Sequence, residues 1–127
     1  MEYRIQKEDK FNYIDQGEGE VLLLLHGLFG ALSNWQDVLN HFSKNYRVVI
    51  PLMPIFEMNI LKLSVEGLAN FIDDFIEFKG FKKVNILGNS LGGHVALVYV
   101  KKHQHKVNSL LLSKTKNGVV IFAILLR

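Results

Sequence analysis

Ser90 stands in the run "VNILGNSLGGHVAL", residues 84–97, with Gly88 two positions before it and Gly92 two positions after it. The apolar run 84–87 reads as a buried strand, and the apolar stretch after Ser90 is long enough for a helix. A serine on a sharp strand-to-helix turn can offer its hydroxyl as a nucleophile. The backbone of such a turn is strained, and small residues on either side leave room for it. The helix that follows directs its first N–H groups toward negative charge developing at the turn. The N–H of Leu91 is the natural first oxyanion donor, and a second must come from another loop. "HGLFG", which starts at His26, can supply it, most simply through the N–H of Leu28. Gly27 and Gly30 belong to that loop, Asn89 to the serine turn, and Gly93 is expected to let the helix pack close to neighbouring strands.

A serine nucleophile needs a base. His26 directly follows an apolar run, which favours a structural, loop-ordering role. His94 lies one turn into the helix after Ser90 and reads as a packing or surface histidine, because a base must reach the hydroxyl from the open side. His103 and His105 are further away, beyond about 18 Å of helix.

The elements that must position these groups are legible in outline. "FNYIDQGEGE" reads as an early strand closed by a turn at Gly17 and Gly19. "VLLLL", residues 21–25, is continuously apolar, as a strand covered on both faces should be. "SNWQDVLNHFSKN" reads as a helix, with Ser33 and Gln36 at capping-box spacing and Trp35, Val38, Leu39 and Phe42 on one face. "YRVVIPLMP" is a second buried strand, stopped by Pro51 and Pro54. "SVEGLANFIDDFIEFKG" is the clearest helix: Ser64 can cap it, Gly80 can close it, and Leu68, Phe71, Ile72, Phe75 and Ile76 form its buried stripe. "KVNIL" is a third strand, residues 91 to about 103 the next helix, and "KVNSLLLS" a further strand. The tail, "KTKNGVVIFAILLR", can add one more strand after a turn at Asn117 and Gly118. Apolar strands alternating with helices predict an α/β fold, a mostly parallel sheet with helices on both faces. Sites in such sheets lie beyond the carboxyl ends of the strands, so the two glycine loops should meet at one edge.

The chain has 127 residues, 49% hydrophobic and 21% charged, which suits a single globular domain. A net charge of +3 is too mild to argue for nucleic acid. The densest basic stretch, "KKHQHK", reads as a helix C-terminus whose cations complement the dipole. With no cysteine, disulfides, thiolate chemistry and cysteine-based metal sites are excluded. No metal or cofactor is called for. The N-terminus is too polar for a signal peptide and no apolar run approaches the ~20 residues of a membrane span, so a cytoplasmic protein without a membrane span is expected.

"LLLLHGLFGALSNW", "PLMP" and "NILGNSLGGHVAL" together resemble the α/β-hydrolase superfamily, most closely the bacterial hydrolases with an HG-x-x-G loop and a G-N-S-L-G-G nucleophile elbow. The resemblance implies that Ser90 is the nucleophile, that the Leu28 and Leu91 N–H groups form the oxyanion hole, and that the substrate is a small acyl compound, an ester or thioester. Acyl transfer and C–C bond hydrolysis share this front part of the fold. A serine at the elbow argues against the dehalogenase and epoxide-hydrolase branches, which use a carboxylate there. The family places its acid and base downstream of the elbow, yet no Asp or Glu follows Glu77, and the histidines after Ser90 are His94, His103 and His105. Residues 1–113 are family-like and 114–127 form an atypical tail, so the expectation is one partial domain over 1–127, incomplete at its C-terminus through truncation or a frame shift. Such a chain should be inactive by itself and should self-associate through an uncovered sheet edge. The alternatives are a non-catalytic binding scaffold and a gene fragment without function.

Overall fold

The structure, a computed structural model, describes residues 4–26, 36–55, 64–115 and 119–125, with side chains through residue 113. The strands are β1 (Ile5–Glu8), β2 (Phe11–Gln16), β3 (Val21–Leu25), β4 (Arg47–Pro51), β5 (Val84–Asn89), β6 (Val107–Thr115) and β7 (Val119–Leu125). The helices are α1 (Gln36–Phe42), α2 (Val65–Lys79) and α3 (Leu91–His103), the last followed by a short 3₁₀ turn, Gln104–Lys106. One sheet holds all seven strands in the order β1-β2-β4-β3-β5-β6-β7. Its centre, β4-β3-β5-β6, is parallel, while β1, β2 and β7 join antiparallel. The expected α/β architecture is present.

The continuous apolar runs follow from cover on both faces. Along β3, Leu23 and Leu25 enter one core with α2 and α3, and Leu22 and Leu24 enter a second core with Leu39 of α1. In α2 the Ser64 hydroxyl accepts the Gly67 N–H at 2.9 Å, and Gly80 closes the helix in the left-handed region at φ 70°. Leu68, Ala69, Ile72, Phe75 and Ile76 are its buried residues, and Phe71 is half-buried against Phe11. In α1, Leu39 is buried with Val38 and Phe42 beside it; Ser33 and Trp35, the rest of that expected pattern, lie outside the described residues.

Two features were hidden in the sequence. β1 is a polar, mostly exposed edge strand in a hairpin with β2, and its charged side chains carry no periodic signal. β6 carries a bulge: Val84 pairs with Val107 but Asn85 pairs with Ser109, which leaves Asn108 as an extra residue. The bulge is why Val107 and Leu110, three apart, both reach the α2–α3 core. The tail does add a strand, β7, paired with β6 from Thr115↔Val119 to Ser109↔Leu125; its turn lies outside the described residues.

Two lysines of the basic stretch at the end of α3 bridge to α2. Lys102 pairs with Glu66, and Lys106 with Asp73 and Glu77, tying α3 to α2. Tyr99, fully buried, donates its hydroxyl to Asp73 at 3.2 Å. A second cluster lies at the amino ends of the parallel strands. Arg47 grips Asp15 with two hydrogen bonds of 2.9 and 2.7 Å, and Lys79 reaches the same carboxylate at 3.2 Å. Burial pushes the Asp15 pKa up, but the bonds to Arg47 and Lys79 more than offset it and hold the carboxyl below its ordinary value. The unfolded chain therefore takes up the proton first on acidification. The contribution of Asp15 is complete at neutral pH and is lost as pH falls from about 4 toward the lower folded pKa. The Asp15 side chain is 11% exposed and that of Arg47 37%, so solvent screens the pair in part. Asp15→Asn should cost about 1–3 kcal/mol at pH 7, and the gap between the two proteins in urea titrations should close below about pH 4. A gap independent of pH would remove Asp15 from the acid response.

Candidate active site

The sheet register brings the carboxyl ends of three neighbouring strands together. Leu25, the last residue of β3, pairs with Gly88 of β5, and Asn89 pairs with Ser113 of β6. At this edge β5 ends and α3 begins, and Ser90 is the single residue between them. Its backbone is at φ 55°, ψ −119°. A positive φ in a residue with a β-carbon costs on the order of 1–3 kcal/mol and persists only where the surroundings impose it.

Here the surroundings do so from three directions. The Ser90 N–H donates to the Ser113 carbonyl at 3.2 Å. The Ser90 carbonyl accepts from the N–H of Gly93 at 2.9 Å and of His94 at 3.3 Å. The third constraint is steric. A β-carbon on Gly92 would stand 2.0 Å from the Leu25 carbonyl oxygen, and one on Gly88 would stand 2.6 Å from the Gly92 oxygen. The first turn of α3 can therefore sit directly on the ends of β3 and β5 only because both residues are glycine. Gly93 differs from the expectation: a β-carbon there would meet the Gly88 oxygen at 3.5 Å and Leu112 at 3.6 Å, ordinary contacts. Close packing of the helix rests on Gly88 and Gly92.

The Ser90 side chain is exposed and makes no capping bond to α3. The Leu91 N–H belongs to the first helical turn, ahead of the first intrahelical bond, where N–H groups lack an acceptor within the helix. Gly27, Leu28 and Gly30 lie outside the described residues, but the entry to their loop is placed: a β-carbon on Gly92 would also come within 2.9 Å of the His26 carbonyl. His26 is half-buried, and its Nε2 accepts the Met53 N–H at 3.5 Å, linking the ends of β3 and β4. His94 is exposed on α3. His103 sits at the far end of that helix, stacked on Tyr99 at 4.8 Å and 3.9 Å from Asp73. Sequence reasoning missed Ser113: its hydroxyl donates to Asn89 Oδ1 at 3.2 Å while its carbonyl holds Ser90. No spacing rule announces it, since its place depends on the β6 bulge.

A seven-stranded, mostly parallel sheet with a strained serine between strand and helix defines a class of protein. A family model described as the alpha/beta hydrolase fold matches residues 20–124, and the chain belongs to that family. It is 32% identical over 115 residues to the 2-hydroxy-6-oxo-6-(2'-aminophenyl)hexa-2,4-dienoic acid hydrolase of Metapseudomonas resinovorans, over 85% of this chain and 40% of the relative. It is 31% identical to a monoacylglycerol lipase of Xenopus laevis, over 81% of this chain and 33% of the relative. A solved α/β hydrolase from the sediment metagenome of the Mar Chica lagoon, Morocco, superposes at TM-score 0.84 with 41% identity, over 88% of this chain and 52% of that one. The chain thus spans about two fifths of the length of the curated relatives it matches. No helix among the described residues is long and apolar enough to cross a membrane.

The two glycines give a paired test. Gly92→Ala should destabilise by roughly 2–4 kcal/mol, because backbone must move to admit the methyl group. Gly93→Ala should be neutral or stabilise by up to about 1 kcal/mol through helix propensity. Equal thermal shifts in the two variants would contradict this assignment of the close contact.

Proposed function

We propose that the protein is a serine hydrolase of acyl bonds, esters or thioester-like compounds, with Ser90 as its nucleophile. The observation that carries the reading is the Ser90 backbone at φ 55°, held in place by neighbours on three sides while its hydroxyl stays exposed. Strain of that kind, maintained at a strand-to-helix turn, is the arrangement that presents a nucleophile. In the reaction the Ser90 oxygen adds to the substrate carbonyl. A base accepts the hydroxyl proton, and the N–H groups of Leu91 and Leu28 stabilise the oxyanion. Collapse of the tetrahedral adduct expels the leaving group with a proton, and water then releases the acid from the acyl-enzyme. The two named relatives, a dienoic acid hydrolase and a monoacylglycerol lipase, support a carbonyl substrate and leave its class broad.

On this reading the base and its orienting acid lie outside these 127 residues. Of the α2 carboxylates, Glu66, Asp73 and Glu77 pair with Lys102 and Lys106 and Asp74 pairs with Lys10; Asp15 is held by Arg47 and Lys79 at the opposite end of the strands, and no acidic residue follows Glu77. Losing triad members costs on the order of 10⁴- to 10⁶-fold in rate. The isolated chain should therefore hydrolyse p-nitrophenyl acetate near background, with little change in Ser90→Ala. Rapid turnover abolished by Ser90→Ala would reveal a base within this chain, with His94→Ala and His26→Ala as the next variants. Failure of Ser90 to react even in a full-length relative-like protein would favour the binding-scaffold reading.

We also infer that copies of the chain associate through the outer edge of β7. Among the described residues that strand pairs with β6 alone, and its sequence, "VVIFAIL", carries neither charge nor proline. The opposite edge, β1, carries Lys7 and Glu8 and is blunted by them. Sedimentation velocity should show mass rising with concentration. A monodisperse monomer throughout would refute the edge contact.

A further inference from the structure

On the face of the sheet turned away from α2 and α3, two asparagines of β5 are each bonded to a serine of β6. Ser109 Oγ donates to Asn85 Oδ1 at 2.7 Å, and Ser113 Oγ donates to Asn89 Oδ1 at 3.2 Å. The two rungs are four residues apart on both strands, with Leu87 and Leu111 paired between them. Asn85 extends the first rung to a third strand, donating from Nδ2 to the Val21 carbonyl of β3 at 3.2 Å. Both rungs lie on the carboxyl-terminal side of the Asn108 bulge.

The bulge makes this pattern consequential. Without the extra residue the pairing begun at Val84↔Val107 would continue as Asn85↔Asn108 and would set Asn89 opposite Leu112. Each serine would then turn to the other face of the sheet. The carbonyl opposite the elbow would change too, and the Ser90 N–H would lose its bond to Ser113. The apolar residues discriminate weakly between the two registers, because residues 110–112 are all leucine. The Asn–Ser rungs discriminate strongly, since the bulged register satisfies both and a one-residue slip satisfies neither.

We propose that the Asn85–Ser109 and Asn89–Ser113 rungs are a register lock, and that Ser113 is a positioning residue for Ser90. Its side chain fixes Asn89, the residue before the elbow, while its carbonyl fixes the N–H of the elbow itself. The strained turn is thus held by β6 from one side and by α3 from the other. The role in catalysis rests on Ser90 being the nucleophile; the positioning of the turn does not.

Amide hydrogen exchange on the intact chain reads the turn directly. In Ser113→Ala the Ser90 amide should exchange about tenfold faster, while the Ile86 amide in the middle of β5 keeps its rate, because local opening is eased without a matching loss of global stability. Asn89→Ala removes the same rung from the other strand and should reproduce the change. Ser113→Thr keeps the hydroxyl and should restore the parent rate. Equal acceleration at Ser90 and Ile86 would mean a merely structural contribution and would overturn the proposal. So would unchanged exchange at Ser90, or a failure of Ser113→Thr to restore it. Near-background esterase activity, which the missing base already predicts, bears on neither rate; rapid turnover that survives Ser90→Ala would count against Ser90 as nucleophile without touching these rates.

Discussion

The Leu25 carbonyl oxygen occupies the space that any side chain at position 92 would need. That contact sets how near α3 can come to the end of β3, and so where Ser90 stands relative to the loop that begins at His26. A helix normally lies about 10 Å from the sheet it covers, with side chains filling the gap. Here the first turn of α3 is packed backbone to backbone, and further along Val95, Ala96 and Tyr99 are buried in the core. The chain has to leave β5 and turn sharply to enter a helix so close to the sheet. Ser90 takes up that turn in its φ and ψ.

A strained residue must be stabilised by what surrounds it, and the sheet supplies this through register. β5 is bonded on both sides, to β3 and to β6, up to its last two residues. The Ser90 N–H then continues the β6 ladder one step beyond the strand. A bond at that position is available only if β6 is long enough and correctly phased. Its nine residues and its bulge at Asn108 are therefore part of the construction of the elbow.

This division explains what could be read from the sequence. The glycines of the elbow were legible because the constraint on them is local: a side chain at Gly88 or Gly92 collides within the same strand–turn–helix unit or with its immediate neighbour. The α2 helix was legible for the same reason, with Ser64 and Gly80 marking its ends and its apolar stripe at helical spacing. β1 was not, because an exposed edge strand has no buried face to impose alternation, and its charges serve to keep other strands away. The bulge was not, because "VNSLLLS" fits either phase and the choice is made by hydrogen bonds to another strand. Gly93 was misjudged because three glycines in a run of six residues look alike in sequence, and only the distances to Leu25, Gly88 and Leu112 separate them.

The two edges of the sheet are built on opposite principles. At the amino ends of the parallel strands, Asp15, Arg47 and Lys79 form a closed cluster in which each charge is met by another, with Tyr13 beside it bonded to Glu8 and Lys79. At the carboxyl ends backbone carbonyls, amides and glycines make most of the contacts, joined by the Asn89–Ser113 side-chain bond, and the Ser90 side chain is exposed. An ion-paired edge resists opening but offers a ligand nothing unpaired. A backbone-built edge can hold one side chain in a strained position without spending that side chain's own hydrogen bonds on the fold. Among the described residues the elbow is fixed by β3, β5, β6 and α3, all of them within a chain that spans two fifths of its relatives' length. The geometry of the turn at Ser90 is therefore set by sheet register and glycine contacts, independently of the chemistry its hydroxyl performs.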